Sequence, residues 1–413
     1  MPRKSHDTFT NRLKWRLEWL AYTCVETVSG ILPGSLVFRM GEILGAIIWC
    51  FVPIRRRIVL RNLRIAFHDQ YDLPTLQRMA RETMIRTGAN LFSATHTALL
   101  PASRIHEVIS VENQELMESA LKDSNGLVLL PSHMGNWEVL SRMNDMFPEG
   151  HQIGAFYRPL NNPILNKRVV AQRATDGSHL FSKHDSLHHV TGFLREGGII
   201  GILADQRVGR QGELVRFFGR LTRASPLPSL MARRSKSRVL SMSLTTETLG
   251  RWKVKYHSVS PPFKTTECMA AIEQALRVSP LDVFWLQDRW RVYVNKNYTI
   301  REWLETGTSD AGKSHRALLW LAGAPQSWRL PEEWTHPDVI YEIVMASSQE
   351  LPPWLTGKET IHRLANTESG LRKTISDIDL KQALPVDFII ARNASDKLSK
   401  AANTLAIRLV SLP

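Results

Sequence analysis

Gly126-Leu127-Val128-Leu129-Leu130-Pro131-Ser132-His133-Met134-Gly135-Asn136-Trp137-Glu138 is the stretch on which the fold turns. Residues 126–130 form a short, unbroken apolar run after the polar Lys122-Asp123-Ser124-Asn125, the pattern of a strand buried on both faces. Val139-Leu140-Ser141-Arg142-Met143, immediately beyond, is compatible with a helix. Strand, loop and helix in that order put His133 at the carboxyl end of a strand, the edge at which open α/β sheets present their ligands.

His133 and Glu138 stand five residues apart, which is roughly 140° around an ideal helix, so they cannot face each other from a single helix. His133 must therefore precede the helix, with a turn at Gly135 folding it back over the first helical turn. In that arrangement the Glu138 carboxylate can accept the proton of one imidazole nitrogen, fixing the tautomer and supporting the imidazolium. Such a pair is a general base for a weak nucleophile such as an alcohol. The amino end of the helix favours a phosphate or a developing oxyanion beside it. Taken alone, a His and a Glu at this spacing are not specific.

Working outward, Gly198-Ile199-Ile200-Gly201-Ile202-Leu203-Ala204 reads as another buried strand. In a parallel sheet it delivers Asp205 and Gln206 to the same edge as His133. Asp205 is suited to orient Arg158 or a sugar hydroxyl, or equally to cap the following loop. Arg158 follows the strand-like Gln152-Ile153-Gly154-Ala155-Phe156, and its guanidinium can hold two phosphate oxygens in a fixed fork. Asn136, Arg158, Asp205 and Gln206 are therefore the candidate substrate-binding residues. Arg207, Arg210, Arg216, Arg220, Arg223, Arg233 and Arg234 concentrate positive charge downstream. That cluster suits a bisphosphorylated acceptor or an acidic carrier protein, and a solvated basic face is the plain alternative. His179, His184, His188 and His189 match no metal-ligand spacing and read as loop or surface residues, so no metal is expected.

The chain has 413 residues, 43% hydrophobic and 22% charged, a balance that excludes a mostly disordered chain and a polytopic membrane protein. Its formal charge of +14 calls for an anionic partner. No nucleic-acid recognition motif or basic-aromatic stack appears, which disfavours nucleic acid. Cys24, Cys50 and Cys268 are too scattered for a disulfide framework or a structural zinc site.

Residues 17–51 are rich in Leu, Ile, Val, Trp and Ala, interrupted by Glu18, Glu26, Arg39 and Glu42 and broken at Pro33-Gly34. No uncharged stretch reaches the roughly 18 residues of a confident spanning helix. Two readings stand: residues 27–38 insert partly while residues 36–52 lie along a bilayer interface, or two amphipathic helices cap a soluble core. Trp15, Trp19 and Trp49 suit interfacial anchors, and Arg55, Arg56, Arg57, Arg61 and Arg64 suit anionic lipid head groups.

The embedded motif Ser132-His133-Met134-Gly135-Asn136-Trp137-Glu138 resembles the signature of the lipid A biosynthesis (lauroyl/myristoyl) acyltransferase family, within the wider glycerolipid acyltransferases. Further blocks follow in the family's order: Asn62-Leu63-Arg64-Ile65-Ala66-Phe67, Tyr157-Arg158-Pro159-Leu160-Asn161-Asn162-Pro163, Leu194-Arg195-Glu196-Gly197-Gly198 with Leu203-Ala204-Asp205-Gln206, and Phe217-Phe218-Gly219-Arg220. The resemblance covers residues 15–298. It implies acyl transfer from an acyl carrier protein thioester, or less often coenzyme A, to a hydroxyl of a phosphorylated glycolipid at the cytoplasmic face of the bacterial inner membrane. His133 would be the base and Glu138 its orienting acid, with no cofactor. Where the family often carries His-Arg-Arg this chain has Gln287-Asp288-Arg289, which puts acceptor contacts there in doubt and leaves room for a catalytically silent lipid-binding or scaffold protein. A phosphatidylinositol-mannoside or simple glycerolipid acyltransferase differs only in its acceptor.

Beyond a polar linker at residues 306–314, strand-like runs recur at residues 317–321, 339–344 and 386–390, and residues 395–412 read as a helix with Ser395 as its cap. The expected architecture is α/β: a central mixed sheet flanked by helices in an acyltransferase domain (57–305), an N-terminal membrane-binding helical segment (1–56), and a small C-terminal α/β extension (314–413).

Overall fold

The computed structural model describes residues 9–182, 184–291, 298–306, 314–355, 359–365 and 370–413. The chain forms two compact units, one of Met1–Arg56, Arg81–Glu213 and Ala224–Gln287, the other of Arg57–Ala80, Leu214–Arg223 and Asp288–Pro413.

Strands β1 (Ile109–Glu112), β2 (Leu127–Leu130), β3 (Ile153–Tyr157), β4 (His179–Ser182) and β5 (Ile199–Gly201) come first. β6 (Glu213–Phe217) and β7 (Arg220–Ala224) then pair as a ribbon, followed by β8 (Arg238–Thr248) and β9 (Arg251–Ser258). The first unit is built on a seven-stranded mixed sheet in the order β1-β9-β8-β2-β5-β3-β4. β8 and β9 are antiparallel, while β2 is parallel to both β8 and β5. All four residues of β2 are buried, as an apolar run without alternation requires. Parallel pairing of β2 with β5 carries the chain after each strand to one edge of the sheet.

Helices α1 (Phe9–Ile31) and α2 (Gly34–Phe51) break at Pro33, whose φ of −58° and ψ of 142° leave the helical region. Among the described residues α2 is the one helix long and apolar enough to cross a membrane. Phe9, Leu13 and Leu17 of α1 and Ile43, Ile47 and Phe51 of α2 are exposed. α3 (Pro53–Phe67) follows, and then α4 (Leu73–Thr97). Gly41 and Gly45 let α2 meet α4 backbone to backbone, since a Cβ at Gly45 would lie 2.5 Å from the Met84 carbonyl oxygen and one at Gly41 2.6 Å from Ala89 Cα. On the other side of α1, buried Glu26 accepts from Arg168 of α6 (Pro163–Arg173), after α5 (Gln114–Lys122) has intervened in the chain.

The second unit holds a five-stranded, fully parallel sheet of β10 (His315–Trp320), β11 (Val339–Ala346), β12 (Ile361–Leu364), β13 (Phe388–Arg392) and β14 (Arg408–Leu412), ordered β12-β11-β10-β13-β14. Ser395 caps the final helix as expected, accepting from the Leu398 amide, but that helix ends at Thr404. The chain then turns and runs as β14, whose Val410 and Leu412 are buried; apolar side chains in period two outweigh the helical pattern read over the whole segment. The expected linker at residues 306–314 falls largely outside the described residues.

Arg64 departs from its expected role at a lipid surface. It is 1% exposed, pairs with Asp379 at 2.5 Å, and donates to the carbonyls of Ala383 and Gln382. Leu63, Ile65, Ala66 and Phe67 beside it are buried too, so this block serves the core of the second unit.

Candidate active site

After β2 the chain turns through Pro131 and Ser132 to His133, and a second segment clamps the turn from its far side. Phe284 N donates to His133 O at 2.8 Å, Gly135 N donates to Asp282 O at 2.8 Å, and Met134 and Val283 form an antiparallel bridge. Gly135 has φ +58°, and a Cβ there would come 2.5 Å from the Leu244 carbonyl oxygen, so both conformation and space select glycine. Asp282 is itself fixed, accepting from Thr246 Oγ1 at 2.6 Å and Ser279 Oγ at 2.7 Å.

The imidazole of His133 faces Asp205. Nδ1 lies 2.8 Å from Asp205 Oδ1, and the backbone amide of His133 donates to Oδ2 at 3.1 Å. Among the described residues Nε2 has no hydrogen-bond partner. Trp137 and Phe284 flank the ring, with centroids 5.1 and 6.5 Å away. Burial works against the charged imidazole, but the Asp205 carboxylate and its hydrogen bond, with the Glu138 charge behind them, overcome it, and the pKa of His133 rises above its ordinary value.

Glu138 sits differently from the sequence expectation. Its two carboxylate oxygens take a fork of hydrogen bonds from Arg173 of α6, at 2.7 and 2.8 Å, so its action on His133 is through charge. The backbone explains this. Residues 137–142 form 3₁₀ turns rather than an α-helix, and Pro148 closes the segment too early for a longer helix. Arg142 holds these turns, 4% exposed, donating to the carbonyls of Thr97, Ala98 and Leu100 and pairing with Asp176 at 2.6 Å. Sequence gave no signal for Arg142 beyond an Arg in an apolar run.

His133, Glu138, Arg158, Arg173 and Gln206 line one cavity of about 500 Å³. Its apolar wall includes Leu129, Phe147, Ile153, Ile199 and Met242. Ile153 and Ile199 open their strands, so the cavity extends along the sheet from the His133 edge toward the opposite edge, roughly 13 Å at the rise of a strand. Asn136 is not part of it. That residue is 1% exposed and donates to Thr97 Oγ1 at 3.0 Å, a buried contact that holds the turn. Gln287, standing where a His was expected, accepts from the Arg207 amide at 2.8 Å and so fixes the loop after Gln206. Asn162 caps α6, accepting from the amides of Ile164 and Leu165, and so sets the course of the helix that carries Arg173. His179 and His189 rest against Phe193 and Phe181.

The lipid A biosynthesis lauroyltransferase of Escherichia coli (strain K12) is 23% identical over 273 residues, which cover 63% of this chain and 87% of that protein. The family model for bacterial lipid A biosynthesis acyltransferases matches residues 6–292. That match takes in the first unit's entire sheet and the His133 site but stops short of β10–β14. On the extent of that match, the chain belongs to the bacterial lipid A biosynthesis acyltransferase family.

Proposed function

We propose that the protein transfers a fatty acyl group from an acyl carrier protein or coenzyme A thioester to a hydroxyl of a phosphorylated glycolipid, a lipid A precursor, with His133 as general base. The observation that carries this is the free Nε2 of His133 at the head of an elongated apolar cavity, its Nδ1 committed to a carboxylate. The acceptor hydroxyl gives its proton to Nε2 as its oxygen attacks the thioester carbonyl. When the tetrahedral intermediate collapses, the carbon–sulfur bond breaks and the departing sulfur takes that proton from the imidazolium. Asp205 holds the tautomer and balances the charge; Glu138, clasped by Arg173, adds a second negative charge behind it. The amides of Trp137 and Glu138 open the 3₁₀ turn and serve the oxyanion.

Leu129, Phe147, Ile153, Ile199 and Met242 accept the acyl chain. Arg158 and Gln206 bind the polar acceptor, Arg158 through a phosphate. The exposed apolar residues of α1 and α2 seat residues 1–56 on an anionic membrane surface at the cytoplasmic face of the inner membrane. The test is a membrane-fraction assay with radiolabelled acyl carrier protein thioester and a lipid A precursor, comparing wild type with His133→Ala. Label in the lipid from wild type alone supports the reading. Equal transfer by His133→Ala removes His133 as the base, and no transfer from any thioester to any phosphorylated glycolipid overturns the reaction.

A further inference from the structure

A second cavity, of about 60 Å³, lies within the C-terminal unit, far in sequence from the His133 motif. Three adjacent parallel strands deliver their first residues to it. His315 opens β10, Asp387 immediately precedes β13, and Arg408 opens β14. The β6–β7 ribbon adds Arg220 and α3 adds Arg61. The site is therefore at the amino edge of the sheet, opposite the carboxyl edge that α/β folds ordinarily use for ligands.

Its charge is unbalanced. Asp387 is already shared between Arg220 Nε, at 3.0 Å, and His315 Nδ1, at 2.8 Å. Arg220 Nη1 points at His315 Nε2 from 3.4 Å, which requires that nitrogen to accept and the imidazole to be neutral. Burial, with Arg220 beside it, holds His315 below its ordinary pKa, in agreement. Among the described lining residues three guanidinium groups thus face a single carboxylate, with Asp69 and Arg216 adding charges of opposite sign. Arg61 spends one nitrogen on the Val386 carbonyl. Arg408 stacks on Trp303 at 4.0 Å and donates Nη2 to the Tyr298 carbonyl, while its Nη1 is buried with no partner among the described residues. Burial pulls the Arg408 pKa down to about 10, the mark of a cation lacking a counter-charge. A buried guanidinium donor without an acceptor is costly, and a surplus of such groups around a void is stable when an anion completes it.

We infer that the C-terminal unit binds a phosphate-class oxyanion among Arg61, Arg220 and Arg408. The cavity is large enough for one tetrahedral oxyanion or the end of a monoester. Neither acyl transfer nor the His133 site enters this inference, so each stands or falls without the other.

The experiment is equilibrium dialysis of the full-length protein in detergent against radiolabelled inorganic phosphate, at fixed ionic strength set with chloride. The expected result is one saturable site per chain, with affinity reduced tenfold or more in Arg408→Gln and in Arg61→Gln and retained in Arg158→Gln. Among the described residues Arg61 makes a single hydrogen bond, so its variant carries the test if Arg408→Gln fails to fold. Competition by glycerol 3-phosphate identifies a monoester as the natural source, and its failure to compete identifies the free ion. No saturable binding means that water alone fills the cavity and overturns the inference. Binding lost in Arg158→Gln but kept in Arg408→Gln places the ion in the catalytic cavity and overturns it equally.

Discussion

Replacing Asp205 with Asn keeps the shape of the side chain and removes the charge that faces the imidazole of His133. The 2.8 Å bond to Nδ1 and the 3.1 Å bond from the His133 amide are among the contacts that change. The pair is mostly shielded, with side chains 19% and 9% exposed, so full screening by water sets a lower bound on the attraction and the screening of a protein site gives the working value. Two unit charges about 4 Å apart attract by about 1 kcal/mol in the first case and about 4 in the second. If the imidazolium is fully formed in the transition state, that loss corresponds to a drop in kcat of about fivefold to about a thousandfold. The pH profile supplies an independent readout. His133 must be neutral to act as a base, and Asp205 raises its pKa, so wild-type activity falls off on the acid side from above the ordinary histidine value. In Asp205→Asn the acid limb moves to lower pH while the plateau drops. The assay is acyl transfer measured from pH 5 to 9 with saturating donor. A variant with an unchanged plateau and an unmoved acid limb would refute Asp205 as the partner of His133.

Glu138→Ala strips Arg173 of its fork and removes the second negative charge near His133; kcat should fall by roughly a hundredfold, and a normal kcat takes Glu138 out of the mechanism. Arg142→Ala removes the partner of the Asp176 charge and a donor from the Ala98 and Leu100 carbonyls in the interior, a destabilisation of about 3–5 kcal/mol measurable by denaturant unfolding. Stability should also depend on His133 with a definite sign. Because its folded pKa is raised, its ion pair with Asp205 stabilises fully below the unfolded value near 6.5 and is lost as pH rises through the folded value, so His133→Gln should cost stability at pH 5.5 and little at pH 9.

The strand before His133, the edge it reaches and the delivery of Asp205 to that edge were legible because each rests on short-range pattern: an apolar run, a break and parallel pairing. What Asp205 does there was not legible. Whether a carboxylate meets an imidazole depends on side-chain direction across two strands, and sequence spacing favoured Glu138, the acid nearest along the chain. Asn136 misled for a related reason. A polar residue beside a catalytic motif reads as a ligand contact, but this one faces the interior toward Thr97. Arg64 and Arg142 show the same limit, because an arginine's role depends on carbonyls supplied from distant segments that no local window contains. The length of the last helix was over-read because residues 405–412 carry apolar side chains that suit either period.

The second unit is assembled from three separate lengths of chain, residues 57–80, 214–223 and 288–413. A ribosome delivers the first of these long before the last. Until residue 384 has been made, Arg64 has neither Asp379 nor its acceptor carbonyls, and Phe67 must wait for Phe218 before its ring has that partner. The Arg64 guanidinium is thus without these partners through most of synthesis, a period in which chaperones, or lipid, are the available cover. Contacts of such sequence separation close slowly. Truncation after residue 300 would leave a chain whose residues 57–80 never find their partners, so a failure of such a fragment to accumulate would report an orphaned segment within the family region rather than the loss of a dispensable tail.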